Sequence, residues 1–228
     1  MDSERRKAAF VSPILRSSIR DTVTAALRSA IISGEMVPGQ VYSAPTLSEQ
    51  FGVSATPVRE SMLDLAKEGL VEPVPNKGFR VTEITSRDLD DVAKIRLLLE
   101  PPSIREITPI VPAGDLADLR RLADETVDAA RTGDLVTFLD SDRTLHLRLL
   151  GYTRNAMLTE LVSDLRNRTR LFGLRQLADA GVLDRSAQEH HDLLDAIEAR
   201  DAVRAETVMI THIDHVRLDW SGSDAQPA

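Results

Sequence analysis

The chain has 228 residues, 42% of them hydrophobic and 28% charged, with a net charge of −8; this is the make-up of one large or two ordinary globular domains. Cysteine is absent, which excludes disulfides, thiol nucleophiles and Cys-based zinc sites and leaves His, Asp and Glu for any metal. No apolar run approaches the roughly 20 residues of a membrane span, and the start MDSERRKAAF has no apolar signal-peptide core, so a cytoplasmic protein with no membrane partner is expected.

In chain order, residues 1–16 read as a flexible arm. From Ser17, apolar residues at 19, 23, 26/27 and 30/31 form a helical stripe that Gly34 ends. EMVPGQ is a turn-rich link. Thr46–Phe51 reads as a short helix, GVS as a tight turn, and a second helix runs from about Thr56 to Glu68. Thr56 is placed as its cap and Pro57 at its first position, where no amide donor is needed. Two extended stretches, Leu70–Val74 and Phe79–Val81, flank PNKG, whose Asn-Lys-Gly suits a hairpin tip. Three helices and a β-hairpin in this order predict a winged helix-turn-helix over 17–83.

Residues 84–220 read as wholly helical: an all-α bundle of six or seven helices, making the protein mainly α. Thr85 with Asp88 resembles a capping box. Helices are expected near 87–107, 114–132, 134–150, 155–179, 186–199 and 202–219, with a kink at Pro101 and Pro102. Residues 221–228 read as a disordered tail. Charge divides unevenly between the two parts. Residues 1–82 hold ten Lys/Arg against nine Asp/Glu, leaving 18 against 27 for the remainder, which also has all five histidines. Two different jobs are implied, and net acidity does not exclude DNA binding, because the local field matters more than the sum.

LSEQFGVSATPVRESMLDLAKEGLVEPVPNKGFRV (47–81) resembles the GntR family of bacterial transcription regulators. IRLLLE (95–100), DRTLHLRLL (142–150), EHHDLLDAIEARD (189–201) and MITHI (209–213) resemble the FCD effector-binding domain of its FadR-like branch. The chain departs from the family at Ala55 and in SAPT (43–46), where arginines are usual. The resemblance implies a homodimer that binds a double-stranded operator with two-fold symmetry. In a helix pair of this kind the second helix presents its N-terminal residues to the major groove. Here those are Ser54, Thr56 and Arg59, with Arg59 suited to bidentate contact with a guanine. Lys77 and Arg80 of the wing can follow the backbone or enter the minor groove. Against this stands a structural reading, in which Ser54 and Thr56 only cap and Arg59 pairs with Glu60 or Asp64.

Asp142 and His146, four apart, share a helix face that is otherwise apolar. A carboxylate there needs a cation or hydrogen-bond donors. His190 lies on the stripe of Leu193, Leu194 and Ile197, and His212 on that of Ala205 and Met209. Positions 190 and 212 are equidistant from 201, where a helix–helix turn is expected, so both lie about 16 Å from it, side by side. His191 would satisfy the distance almost as well; the stripe favours His190. One carboxylate and three imidazoles suit Zn²⁺, Ni²⁺, Co²⁺ or Mn²⁺, and the family resemblance places metal ligands at the same four positions. It also sets Arg96 beside this cavity, where it could clamp an anion; a salt bridge to Glu100 is the alternative. Asn167 is a weaker candidate of the same kind. The expected function is a transcription regulator, not an enzyme, controlled by a small organic acid bound in the metal-containing domain. Alternatives are a regulator with the ion itself as effector, or a metal-dependent hydrolase.

Overall fold

A computed structural model describes residues 19–169, 177–178 and 181–221; the expected arm lies outside them, as does the expected tail except for Ser221, which ends the last helix. Helix α1 (Ile19–Ile32) packs on α3 (Ala55–Lys67), with α2 (Ala44–Phe51) against α3. Val58, Met62 and Leu65 of α3 are fully buried against Val23, Leu27 and Ile31 of α1 and against Leu47. Two ion pairs lock the same helices together: Arg20 with Asp64, and Arg28 with Glu68 at 2.6 Å.

Helix α2 begins two residues before the expected Thr46. The Ser43 hydroxyl accepts the Thr46 amide at 3.2 Å, and Pro45 sits in the first turn, where its missing donor costs nothing. The α3 cap is Ser54, not Thr56; the latter lies inside the helix, with Pro57 still among the first amides that have no helical acceptor. The hairpin is wider than the sequence suggests. Strand β1 (Val41–Tyr42), directly after the expected link, pairs antiparallel with β3 (Gly78–Val81), which also pairs with β2 (Val71–Val74), giving the order β1-β3-β2. Asn76 at the tip has φ 60° and Gly78 φ 132°. A Cβ on Gly78 would stand 2.2 Å from the Tyr42 carbonyl oxygen, so glycine is what lets β1 approach.

The second part is an all-α bundle: α4 (Ser86–Ile107), α5 (Leu116–Thr132), α6 (Leu135–Gly151), α7 (Ala156–Thr169), α8 (Val182–Glu198) and α9 (Ala202–Ser221). The capping box at the start of α4 forms in both directions between Thr85 and Asp88. Helix α4 continues through Pro101 and Pro102, which withhold donors from the carbonyls one turn earlier; burial of Ser103, Ile104 and Ile107 just beyond holds the helix together. α8 begins four residues before the expected Ser186, directly after Gly181 at φ 70°. Helix α9 lies along α4 and α8, while α5 lies against α6 and α8. Their shared core includes Ile104, Ile107, Leu145, Leu149, Leu193, Leu194, Ile197, Met209 and Ile213. Ile32, at the end of α1, belongs to a second bundle core with Leu89, Val127, Leu135, Phe138 and Leu139, and so joins the two parts. Among the described residues, no helix is long and apolar enough to cross a membrane.

Candidate functional site

The N-terminal part presents a helix start and a hairpin tip to solvent. Ser54 caps α3 without using its hydroxyl, which is therefore free for a phosphate or base. Thr56 and Arg59 follow on the same exposed face of α3. The carboxylates that could have tied Arg59 down are engaged elsewhere: Asp64 holds Arg20 and Lys67, and Glu60 lies 4.0 Å from Arg20. Arg59 itself makes no ion pair among the described residues. Lys77 at the tip and Arg80 on β3 are exposed in the same way.

In the bundle, α6, α8 and α9 bring Asp142, His146, His190 and His212 together; one donor atom from each lies within 4.8 Å of the others. The α8–α9 turn falls at 199–201, and the His190 and His212 rings are 4.9 Å apart. His191 points away, its Nε2 3.4 Å from Asp124. Asp142 Oδ1 is 3.2 Å from His190 Nε2 and 3.5 Å from His146 Nε2. Those two Nε2 atoms are 3.1 Å apart, so they share at most one hydrogen. Their Nδ1 atoms are buried without hydrogen-bond partners. Imidazole nitrogens turned toward one another beside a carboxylate fit a divalent cation.

The electrostatics keep Asp142, His146 and His212 in ligating form. Burial opposes the Asp142 charge, yet His146 and Arg166 outweigh it and hold its carboxyl well below the usual range. His146 is pushed well down by burial and by Arg166, against the pull of Asp142; it is neutral at pH 7, which leaves Arg166 as the cation that keeps Asp142 ionised. Burial also lowers His212, with Glu189 opposing. Neutral imidazoles and an ionised carboxylate are the states a metal requires.

Three partners were not singled out from sequence as part of this centre. Arg166 of α7 bridges Asp142 Oδ2 at 3.0 Å and Glu100 Oε2 at 2.6 Å. Glu100, also held by Arg96 at 2.6 Å, stays ionised: burial disfavours its charge, but Arg166, Arg96 and His146 hold its carboxyl below the ordinary value. Glu189 of α8 accepts from the Nδ1 atoms of His212 and His215. Arg166 carried one available signal, its place beside Val162 and Leu165 on the buried stripe of α7. Arg96 makes the salt bridge to Glu100, and its Nη2 is left buried with no hydrogen-bond partner. Asn167 Oδ1 is likewise buried without one.

Two family models divide the chain as the fold does. Bacterial regulatory proteins of the gntR family match residues 19–81, and the FCD domain matches 91–215. A regulator in an unstable DNA locus of Streptomyces ambofaciens, described as an HTH-type transcriptional regulator, is 30% identical over 191 residues, spanning 82% of this chain and 78% of its own. The chain belongs to the GntR family. Escherichia coli McbR, an HTH-type regulator, is 28% identical to this GntR protein over 177 residues, 77% of this chain and 80% of its own. The solved McbR structure matches it with a TM-score of 0.69 at 25% identity, over 91% of this chain and 100% of that one. A Rhodococcus regulator shares the fold at TM-score 0.70 and 23% identity, over 91% and 99% of the two chains. This GntR–FCD protein is a DNA-binding transcription regulator rather than an enzyme.

Proposed function

We propose that this GntR regulator binds a two-fold operator as a homodimer and that its operator affinity is set by a divalent ion at Asp142, His146, His190 and His212. The observation that carries this is the convergence of the four donors within 4.8 Å. A divalent ion would supply positive charge between the three imidazoles and the carboxylate. Arg59 reads a base in each half-site, Ser54 and Thr56 hold phosphates at the start of α3, and Lys77 and Arg80 follow the backbone.

The route between the two ends is short. α6 carries Asp142 and His146, and its first turns, Leu135, Phe138 and Leu139, pack around Ile32 of α1. Helix α1 is in turn pinned to α3 by Arg20–Asp64 and Arg28–Glu68. A shift of α6 therefore reaches the reading helix through packed side chains, in addition to the connection at 82–85. An effector changes operator affinity only by preferring one arrangement of these elements.

The unpartnered Arg96 Nη2 favours a second reading, in which a small organic acid binds at the loaded centre and takes that donor. The test is a fluorescence-anisotropy titration of an operator duplex with apo protein, with protein loaded in turn with Zn²⁺, Ni²⁺, Co²⁺ and Mn²⁺, and with each of these plus a panel of carboxylic acids. A metal-dependent shift that ignores the acids supports the ion as effector. A shift that needs both supports the acid. Operator affinity indifferent to metal and acid alike refutes control through this centre.

A further inference from the structure

His146 and His190 turn Nε2 to the centre, but four donor groups do not by themselves decide which nitrogen of each imidazole carries the hydrogen. For His146 and His190 no partner behind the ring decides it. Their Nδ1 atoms have no hydrogen-bond partner, and the Glu100 carboxylate is 3.7 Å from His146 Nδ1, beyond a hydrogen bond. His212 differs. Its Nδ1 lies 2.9 Å from Glu189 Oε2, and the other carboxylate oxygen, Oε1, lies 2.5 Å from His215 Nδ1. A carboxylate accepts and does not donate, so both imidazoles must carry hydrogen on Nδ1. The His212 lone pair is thereby assigned to Nε2, on a ring stacked 5.2 Å from that of His146 and tilted 4.9 Å from that of His190.

We propose that Glu189 is the positioning residue of the centre: it fixes His212 as the Nδ1–H tautomer and sets its ring, while His215 holds the second carboxylate oxygen so that Glu189 cannot turn away. This role rests on the metal reading above. His212 is then the pre-set ligand, and His146 and His190 take their tautomers as the ion binds. The clamp joins neighbouring helices. Glu189 is on α8 beside His190, and His212 and His215 lie one turn apart on α9, so the carboxylate reaches both histidines across the helix pair. A carboxylate behind a ligating imidazole orients the ring and raises its basicity, and removing one costs about 10–100-fold in metal affinity.

A purely structural clamp between α8 and α9 would stabilise the helix pair without selecting a tautomer, and the test separates the two roles. In the metal-free, full-length protein, long-range ¹H–¹⁵N spectra of ¹⁵N-histidine report the His212 tautomer. The Zn²⁺ affinity of the wild type, Glu189→Gln, Glu189→Ala and His215→Ala is read by competition with a chromophoric chelator, and helix content is checked by circular dichroism. The wild type should show Nδ1–H at His212. Glu189→Ala should bind Zn²⁺ about 10–100-fold more weakly. Glu189→Gln, whose amide oxygen can still accept from one imidazole, should recover part of that loss, and His215→Ala should lose less than Glu189→Ala. If the Ala variant does not fold, the wild-type tautomer and the Gln variant decide. An Nε2–H tautomer at wild-type His212, or Zn²⁺ affinity in a folded Glu189 variant within twofold of wild type, overturns the role given to Glu189. A wild-type protein that takes up no Zn²⁺ refutes the metal centre itself.

Discussion

Arg166→Met is the substitution that most directly tests the electrostatics of the bundle. Methionine keeps the length and apolar stem of the side chain and removes its charge. Arg166 is 6% exposed and bridges Glu100, 1% exposed, and Asp142, 18% exposed. Without it, Asp142 loses its guanidinium partner and faces the imidazoles alone, while Glu100 keeps Arg96 at 2.6 Å. Breaking a buried pair by removing one partner costs about 3–5 kcal/mol. Because Asp142 reaches the edge of the site and Glu100 retains a cation, the low end applies, about 3 kcal/mol. For a chain of this length that is a fall in melting temperature of about 6–12 °C. Saturating divalent ion should shrink the deficit, since the ion replaces the lost charge beside Asp142; binding at 100 times Kd is worth about 2.7 kcal/mol. Asp142→Asn on top of Arg166→Met should restore stability in the apo protein, with a coupling of about 1 kcal/mol or more in the double-mutant cycle. Thermal melts of the four proteins, with and without Zn²⁺, measure all of this. Equal apo melting of wild type and Arg166→Met, or strictly additive single effects, would show that Arg166 does not hold these carboxylates.

Arg59→Ala should abolish specific operator binding with unchanged helix content, since one guanine contact is worth about 1–3 kcal/mol and a two-fold complex loses two; anisotropy against specific and scrambled duplexes reads it. Lys77→Ala with Arg80→Ala should instead weaken binding to both duplexes alike and reduce the slope of log affinity against log salt by about 2 per subunit. Gly78→Ala should destabilise the N-terminal part by about 2 kcal/mol, because the added Cβ meets the Tyr42 carbonyl at 2.2 Å in a φ 132° conformation, and chemical denaturation measures it. Asp134→Ala removes the α6 cap, in which the carboxylate accepts the Thr137 amide at 3.1 Å, and should cost about 1 kcal/mol at pH 7. The Thr137 hydrogen bonds hold the Asp134 carboxyl below its unfolded value. Its contribution is therefore full at neutral pH and fades as pH falls through the folded value, so urea melts of wild type and variant should converge in acid.

Features set by local chemistry were legible in the sequence, and those set by distant chain segments were not. The Thr85–Asp88 box and the Asn76 tip were read correctly because each is decided within a few residues. The start of α2 lies earlier than expected although its signal is present: Ser43 followed by Pro45 is a cap and a first-turn proline, just beyond the turn-rich EMVPGQ link. Strand β1 is two residues long and exists only because β3 accepts it past Gly78, which no period in the sequence can reveal. The same division runs through the candidate site. His190 and His212 could be paired from sequence because they belong to adjacent helices, where equal distance from one turn implies adjacency. Asp142 and His146 were paired because they are one helical turn apart.

What escaped was everything that makes those four residues a centre rather than four buried polar groups. Arg166 meets Glu100 across 66 positions and Asp142 across 24, and Glu189 meets His212 across 23. Glu100 itself could be named only as a neighbour of Arg96, four residues away. Yet the buried carboxylate at Asp142, on an otherwise apolar face, already required a cation or donors, because an uncompensated charge there is too costly to persist. Compensation therefore had to exist, and the four-residue pattern pointed to a metal without revealing the guanidinium. In the fold a guanidinium already occupies one oxygen of Asp142, and Oδ1 is the oxygen turned toward His146 and His190. A bound ion would thus share one carboxylate with Arg166 instead of substituting for it, because Arg166 already lets the bundle keep Asp142 buried and ionised while its other oxygen faces the imidazoles.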